Sequence, residues 1–325
     1  MKKFIAIALV AIMALSVTAC GASQAQVESA AAEVAAVAES AAEDVAKAAE
    51  AAPAKEAAAP AAEAAPAAEA APAAAEIPTV EPGKLTIATS PDFAPYEFYS
   101  IGEDGTPTLA GFDMSLAKYV ADELGLELEV IPMDFDGTIM ELTQGNVDMS
   151  FAGYSVTEER KEVMDFSIVY YDGAQSFVTN KENADKITDL ASANNPDFTI
   201  EAQTGSIQAD LMVQNTPDAN CINMTKVTDI IAELVSGKAQ GGFIEKCVAE
   251  AYAKQYPELV IVCDVPFETE GTAAGITKGN TALVDAVNAA VQKCVDSGEF
   301  EKFVAEANEL ASGEKYEGLL ENMEQ

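Results

Sequence analysis

The sequence predicts an α/β protein with two lobes, each a mostly parallel sheet flanked by helices. From Lys84 onwards, short apolar runs typical of strands alternate with segments of helical period. Roughly 240 residues take part in this alternation, which is more than one hydrophobic core usually covers. A ligand of such a protein is expected in the cleft between the lobes.

The first series of elements contains three strands and two helices. The strands are predicted at residues 85–88, 128–132 and 147–151. The helices are predicted at residues 117–124 and 137–144. Gly125 and Gly145 follow these helices directly, and glycine commonly ends a helix because it adopts a left-handed backbone conformation without steric cost.

A second series of elements follows Val178. Its strands are predicted at residues 198–202, 242–244 and 259–263. Its helices are predicted from about Ser206 and over 229–235, and the C-terminal part of the chain is mainly helical. Because parallel strands need a crossover connection, this repeated alternation favours parallel pairing.

The first twenty residues predict a secretory signal. Lys2 and Lys3 precede an apolar run at 4–15, which is too short to span a bilayer. Residues 17–21 resemble the lipobox of bacterial lipoproteins, which implies that Cys20 is lipidated and anchors an extracytoplasmic protein to the cell membrane. The alternative is an ordinary signal with an incidental cysteine.

Residues 21–82 predict a linker. They are almost wholly Ala, Glu and Pro, and an AAPAAE unit repeats between Ala57 and Ala75. At roughly 1.5 Å per residue if helical and 3.1 Å if polyproline-like, the linker could hold the folded part on the order of 100 Å from the lipid.

Composition excludes several functions. The chain has no histidine, which removes the residue most often used as a general base and the nucleophilic triads that depend on it. A formal net charge of −36 argues against nucleic-acid binding, since phosphates attract Lys and Arg. The lack of histidine therefore argues against most hydrolases. We expect no enzymatic activity and no cofactor.

Four cysteines remain beyond Cys20, and their state is left open by the sequence. None has the spacing of a metal site, so no metal is expected. An exported protein can form disulfides, although free thiols are favoured here. The four residues are Cys221, Cys247, Cys263 and Cys294.

Several stretches from residue 84 to 312 resemble family 3 of the extracellular solute-binding proteins, the polar amino-acid receptors of ABC importers. They are ATSPDFAPYEF (88–98), GFDMSLAKYVADELG (111–125), PMDFDGTIMELTQGNVDMSFAG (132–153), SVTEERKEVMDFS (155–167), QTGS (203–206) and GKAQGGFIEK (237–246). The resemblance implies a type II periplasmic-binding-protein-like fold. It also implies a monomer that binds a free polar or basic L-amino acid and delivers it to a permease with its ATPase.

The resemblance assigns the ligand's carboxylate to both lobes. Arg160 matches the family's carboxylate-binding arginine, whose planar fork can donate two parallel hydrogen bonds. Ser155 adds a hydroxyl and an amide, and Thr204 and Gly205 offer N–H groups at a predicted helix start. The alternatives are a surface arginine and a simple helix cap.

The ligand's ammonium group is assigned to Glu245, where the family more often has Asp, and to the carbonyl of Gly153. An unpaired buried ammonium would cost several kcal/mol, so some acceptor is required. A solvated glutamate at the end of a strand is the alternative for Glu245. Asp113 is expected to cap its helix rather than to touch the ligand.

Five residues are expected to contact the ligand's side chain. Phe93 and Phe135 match positions that sandwich it, and Tyr154 is expected in the same pocket. Ser90 stands where glutamine and basic amino-acid receptors often have Asp, and Glu201 would offer a carboxylate. Plain core packing is the alternative for the two phenylalanines.

The family also implies closure around the ligand, with two crossings between the lobes near 172–175 and 268–273. The expected first lobe comprises 83–173 and 273–325, and the second comprises 174–272. Two other classes of function stay open, because some dehydratases use this fold and because a surface sensor or adhesin could use it without a permease.

Overall fold

The computed structural model describes residues 77–102 and 105–312. The signal sequence, Cys20 and most of the linker lie outside the described residues. The strands are β1 (Lys84–Thr89), β2 (Asp92–Phe93), β3 (Glu97–Ile101), β4 (Pro107–Ala110), β5 (Glu127–Pro132), β6 (Met149–Ser150), β7 (Met164–Phe166), β8 (Gln175–Asn180), β9 (Thr199–Gln203), β10 (Asn220–Met224), β11 (Gly241–Glu245), β12 (Leu259–Val265) and β13 (Gly275–Thr277). The helices are α1 (Phe112–Leu124), α2 (Phe135–Gln144), α3 (Glu158–Val163), α4 (Leu190–Ala193), α5 (Ile207–Asn215), α6 (Val227–Val235), α7 (Lys246–Gln255), α8 (Thr281–Asp296) and α9 (Glu299–Ala311).

Two five-stranded sheets form the centres of the two lobes. Their strand orders are β5-β1-β6-β13-β7 and β10-β9-β11-β8-β12, and β2-β3-β4 form a small additional sheet. β13 is antiparallel to both of its neighbours, as is β8 in the other sheet. The predicted two-lobed, mostly parallel α/β architecture is confirmed, and each large sheet contains one antiparallel strand.

The chain crosses between the large sheets twice, after β7 and again after β12. β8 and β13, the antiparallel strands, are the ones that the chain enters after each crossing. The two crossing segments run side by side, because Thr272 forms antiparallel bridges with both Ser155 and Tyr171. The lobe limits given above stay a prediction.

Local sequence signals explain most element boundaries. Gly125 and Gly145 end α1 and α2 with φ values of 67° and 71°, as their positions predict. α2 begins at Phe135, two residues before the predicted start, and the strand predicted at 147–151 is reduced to β6. Element ends are set by capping and pairing, which apolar periodicity does not report.

Each large sheet buries its own apolar face. In the second lobe, Phe177 and Phe243 meet with ring centroids 4.9 Å apart and pack with Ile200 of the adjacent strand. In the first lobe, Leu142 of α2 and Met164 of β7 pack in one cluster. Burial of a side chain of this size contributes about 1.5–3 kcal/mol. The largest buried cluster includes residues of both lobes, such as Ile87 of β1 and Ile244 of β11.

Other features of the described residues bear on function. No helix between residues 77 and 312 has the length and apolarity needed to cross a bilayer. No cluster of three or more potential metal ligands occurs in the described part of the chain. Cys294 is a buried free thiol, and Cys221, Cys247 and Cys263 are half-buried free thiols.

Candidate functional site

A cavity lies between the lobes and is lined by residues of both. Six of the residues predicted for the site line it together. They are Ser90, Phe93, Phe135, Gly153, Ser155 and Arg160. The structure adds seven lining residues that the sequence reasoning missed. They are Asp92, Glu97, Ala152, Gln203, Ser206, Ile207 and Gln208.

Arg160 is held in a fixed orientation by its own lobe. The hydroxyl of Thr157 caps α3 by accepting a hydrogen bond from the Arg160 backbone N–H at 3.3 Å. The guanidinium Nη1 donates to the carbonyl of Ser155 at 3.2 Å, and its carbon lies 5.7 Å and 5.4 Å from the ring centroids of Phe135 and Tyr154. These contacts aim the guanidinium without neutralising its charge.

No carboxylate among the described residues lies within salt-bridge distance of Arg160, which is the only arginine in the sequence. Burial lowers the pKa of Arg160 from its ordinary value. An arginine nevertheless stays protonated in proteins. A cavity containing an unneutralised guanidinium favours an anion, and a carboxylate matches its fork.

The N-terminus of α5 faces the same cavity from the second lobe. Ser206 is the N-cap, and its hydroxyl accepts a hydrogen bond from the Ala209 N–H at 3.3 Å. Ile207 and Gln208, the first two helical residues, line the cavity. Because the N–H groups of a first helical turn have no intrahelical partner, this end of α5 favours the same anion as Arg160.

Thr204 and Gly205, predicted for this role, do not line the cavity. Both the amide and the hydroxyl of Thr204 donate to the carbonyl of Met224, at 2.8 Å and 3.1 Å, and are therefore engaged by β10. Gly205 has a φ of 74°, and an added Cβ would lie 3.3 Å from the Cβ of Asp136 in the first lobe. The glycine allows close approach of the two lobes, and Ser206 and its successors face the cavity.

Two predicted aromatic side chains form an aromatic wall of the cavity. Phe93 and Phe135 both line the cavity and are almost fully buried. Gly153 has a φ of 58°, and a Cβ there would lie 2.8 Å from a ring carbon of Phe93. Any side chain at 153 would therefore displace the ring.

Tyr154 lies behind this wall rather than on it. Its side chain is fully buried and its hydroxyl bonds to Thr138 and, at 3.1 Å, to Ser150. Burial raises the pKa of Tyr154 to about 12. Since its ring supports the guanidinium of Arg160, Tyr154 acts on the cavity through that residue.

Glu97 is the most informative residue that the sequence reasoning missed. Its side chain is 0% exposed, yet neither carboxylate oxygen accepts a hydrogen bond from any described N–H or hydroxyl group. Burial raises the pKa of Glu97 well above its usual range, and the nearby charges of Asp113 and Asp92 raise it further. The available signal was a single acid between two aromatic residues, Tyr96 and Phe98.

Asp113 supports this acidic side of the cavity. Its carboxylate accepts hydrogen bonds from the Tyr170 hydroxyl at 2.9 Å and from the Gly153 N–H at 3.1 Å. It does not cap α1, contrary to the expectation, because Gly111 is the N-cap and no side chain caps that helix. Burial raises the pKa of Asp113 to about 6. The protonated form of Glu97 can share its proton with this carboxylate.

Glu245, predicted to bind the ammonium group, is not among the residues that line the cavity. It caps α7 by accepting from the Val248 N–H at 3.1 Å. Its other oxygen accepts from the Ala174 N–H at 3.2 Å and from the Tyr96 hydroxyl at 3.3 Å. The protein therefore already provides donors to both oxygens of this carboxylate.

Glu201, predicted to contact the ligand's side chain, is also absent from the cavity lining. It is 3% exposed, and one of its carboxylate oxygens has no hydrogen-bond partner among the described residues. Burial raises the pKa of Glu201 to about 7, and the charges of Glu233 and Asp229 contribute. These acids belong to α6, so Glu201 lies on the α6 side of β9.

Comparison with known proteins identifies the class. Residues 85–307 match the model of the bacterial extracellular solute-binding proteins, family 3, and the chain belongs to that family. It is 33% identical over 224 residues to the arginine-binding extracellular protein ArtP of Bacillus subtilis, covering 67% of this chain and 84% of the relative. The fold matches that of an amino acid ABC transporter substrate-binding protein from Streptococcus pneumoniae bound to L-arginine, with a TM-score of 0.66 and 34% identity over 70% of this chain and 94% of that one.

One enzyme also resembles the chain. The cyclohexadienyl dehydratase of Pseudomonas aeruginosa is 25% identical over 183 residues, which cover 56% of this chain and 67% of the enzyme. Sequences similar to this chain thus occur in transport proteins and in at least one enzyme, and the site must separate the two functions.

Proposed function

We propose that this protein is the substrate-binding component of an ABC importer that captures a free polar or basic L-amino acid, with L-arginine the first candidate. One observation carries the proposal. A single cavity is lined by the guanidinium of Arg160, which has no carboxylate partner among the described residues, and by the buried carboxyl of Glu97, which accepts no hydrogen bond from them. A ligand with an anionic and a cationic end supplies both missing partners, and leaving either group buried and unpaired is costly.

The ligand's carboxylate binds between the lobes in this proposal. Arg160 and Ser155 hold it from the first lobe, and the N–H groups at the start of α5 hold it from the second. Since those groups belong to different lobes, the ligand completes its contacts only in the closed form and stabilises that form. The importer then recognises the closed shape.

The cationic group of the side chain pairs with Glu97. Phe93 and Phe135 exclude water from the intervening chain and interact favourably with a guanidinium or ammonium. A cation lowers the raised pKa of Glu97, so arginine binding should release a proton and strengthen as pH rises. The arginine-binding relatives support this choice of ligand.

A thermal-shift screen of the twenty amino acids, ornithine and citrulline tests the proposal. A ligand that binds only the native state raises the free energy of unfolding by RT ln(1 + [L]/Kd) and thereby raises the melting temperature. We expect arginine to give the largest shift and aspartate none. A screen in which no amino acid shifts the melting temperature contradicts the proposed function.

Dehydratase activity is the second candidate function, because a carboxyl with a raised pKa, such as that of Glu97, can act as a general acid. We propose that the protein is not an enzyme. Incubation with prephenate or arogenate should leave both compounds unchanged, and product formation above the buffer rate would establish catalysis instead.

We propose further that Cys20 is lipidated and that the linker tethers a monomer outside the cell. Cys20→Ala should release the protein from membranes into the soluble fraction. Cys294→Ala is the matched control, since its thiol lies in the folded part, and this variant should stay membrane-bound. Persistence of the Cys20→Ala variant on membranes would indicate a different anchor.

A further inference from the structure

We infer that Asp92 is a cross-cleft latch: its carboxylate, carried by the first lobe, caps the N-terminus of α6 in the second lobe and holds the two lobes closed. The inference rests on the proposed function for its link to transport. It concerns a positioning residue, one that acts on the ligand through closure.

The hydrogen bonds of Asp92 span the cleft. Its Oδ2 accepts from the Val227 N–H at 2.6 Å and from the Gln203 side-chain amide at 3.1 Å. Its backbone carbonyl accepts from the Tyr252 hydroxyl at 3.4 Å. All three donors belong to elements of the second sheet and its helices, whereas Asp92 lies in β2 beside the first sheet.

α6 lacks a cap of its own. Its N-cap residue is Lys226, and no side chain of its own segment accepts a hydrogen bond from its first turn. By contrast, Thr157, Ser206 and Asn280 each cap the helix that directly follows them. Among the helices of the described residues, α6 is the one whose first N–H donates to a carboxylate of the other lobe.

Opening of the cleft must break these contacts, because Asp92 and Val227 move with different lobes. The first N–H of α6 then loses its partner, and that free end of a nine-residue helix is less stable without an acceptor. A carboxylate bonded to N–H groups makes a stronger contact than a neutral acceptor. The latch therefore favours closure whatever the side chain of the ligand.

The groups that face Asp92 are compatible with this role. Ser90 donates to its Oδ1 at 2.9 Å from the same lobe. Lys226 stabilises its charge, whereas Glu97 and Tyr252 interact with it unfavourably when they are ionised. Burial raises the pKa of Asp92 to about 6, so the carboxylate is mainly ionised at neutral pH.

Two substitutions at Asp92 separate hydrogen bonding from charge. Asp92→Ala removes all the side-chain contacts. Asp92→Asn can keep them, because its carbonyl oxygen accepts from Val227 and Gln203 while its amide donates to the Ser90 hydroxyl. Asp148→Asn is the matched control: its buried carboxylate accepts from the Val80 and Thr86 N–H groups, all in the N-terminal part of the chain.

The experiment measures binding of arginine and of citrulline, its uncharged analogue, to the full chain by calorimetry and stopped flow. We expect Asp92→Ala to weaken both ligands by the same factor, about 10- to 100-fold, mainly through faster dissociation. Asp92→Asn should stay within about 3-fold of wild type, as should Asp148→Asn despite its lower melting temperature.

Amide hydrogen exchange at Val227 provides a second measurement that needs no ligand. Protection of this amide should fall in Asp92→Ala and persist in Asp148→Asn. The latch is overturned if Asp92→Ala leaves both ligand affinity and Val227 protection unchanged. It is also overturned if Asp92→Ala weakens arginine but not citrulline, or if Asp92→Asn binds as weakly as Asp92→Ala. If the wild-type protein binds no amino acid, the proposed function is wrong. Hydrogen exchange at Val227 then still tests whether Asp92 holds the lobes together.

Discussion

Two buried glutamates at the boundary between the lobes are in opposite states. Glu245, at the end of β11, accepts three hydrogen bonds from the protein. Glu97, at the start of β3, is also buried but accepts none from the part of the chain that the structure describes. A folded protein satisfies nearly all of its buried polar groups, so unfilled hydrogen-bonding capacity inside a cavity marks where a ligand completes the structure. Four substitutions test this contrast, in order of their expected effect on arginine affinity.

Arg160→Ala should have the largest effect, a loss of roughly 2 to 5 kcal/mol in binding free energy, because it removes the guanidinium that pairs with the ligand's carboxylate. Calorimetry measures the loss. Lys118→Ala, which removes an exposed cation paired with Asp122, is the control and should bind normally. Unchanged affinity in Arg160→Ala would remove this residue from the site.

Glu97→Gln should weaken arginine binding by about 1 to 3 kcal/mol, because the ion pair with the ligand's guanidinium is replaced by a hydrogen bond from that cation to a neutral acceptor. Citrulline, which carries no charge on its side chain, should lose much less. Titrations in buffers of different ionisation enthalpy should also show that the proton released with arginine by the wild type disappears in the variant. Equal losses for both ligands would mean that Glu97 supports the fold rather than the cation.

Glu245→Gln should leave arginine affinity within about 0.5 kcal/mol of wild type and lower the free energy of unfolding by about 1 to 3 kcal/mol, because one backbone N–H loses its acceptor. Urea unfolding and calorimetry on the same preparation separate the two effects. The opposite result, a large loss of affinity with stability retained, would support the ammonium-binding role predicted from the family resemblance.

Glu201→Gln should not affect binding, since this residue lies outside the cavity lining. Its effect is on stability. The pKa of Glu201 in the folded protein is about 7, above the ordinary value of 4.5, so the folded state binds the proton more tightly than the unfolded state. Stability contributed by the protonated carboxyl is thus full below pH 4.5 and is lost as pH rises to about 7.

The amide of Gln resembles the protonated acid, so Glu201→Gln should stabilise the protein at pH 8 by on the order of 1 to 3 kcal/mol and not at pH 4. Urea unfolding at both pH values provides the test. A variant that is no more stable than wild type at pH 8 would show that the Glu201 carboxylate is solvated.

Much of the fold follows from the sequence, since alternating strand and helix patterns are set by local residue periodicity. Arg160, Ser155, Phe93 and Phe135 reach the cavity from stretches whose order and spacing match the family. Thr204 and Gly205 were predicted to bind the carboxylate, whereas Ser206 and the first two residues of α5 line the cavity. No linear pattern could show that β10 engages Thr204.

The sequence could not show which acidic side chains accept hydrogen bonds in the folded protein. For Glu97, Glu201 and Glu245, this depends on which N–H and hydroxyl groups distant segments bring close to each carboxylate. For Glu245 these donors include Tyr96, and for Asp92 they include Val227, more than a hundred positions away in each case. Side-chain pairing over such separations is decided by tertiary packing, so only the structure distinguishes the three glutamates.

A crystal structure of the protein with L-arginine tests the central claim most directly. The claim predicts the ligand's carboxylate on the guanidinium of Arg160 and the N-terminus of α5, with its own guanidinium hydrogen-bonded to Glu97. A ligand whose carboxylate lies away from Arg160, or whose side chain leaves Glu97 without a partner, would contradict it.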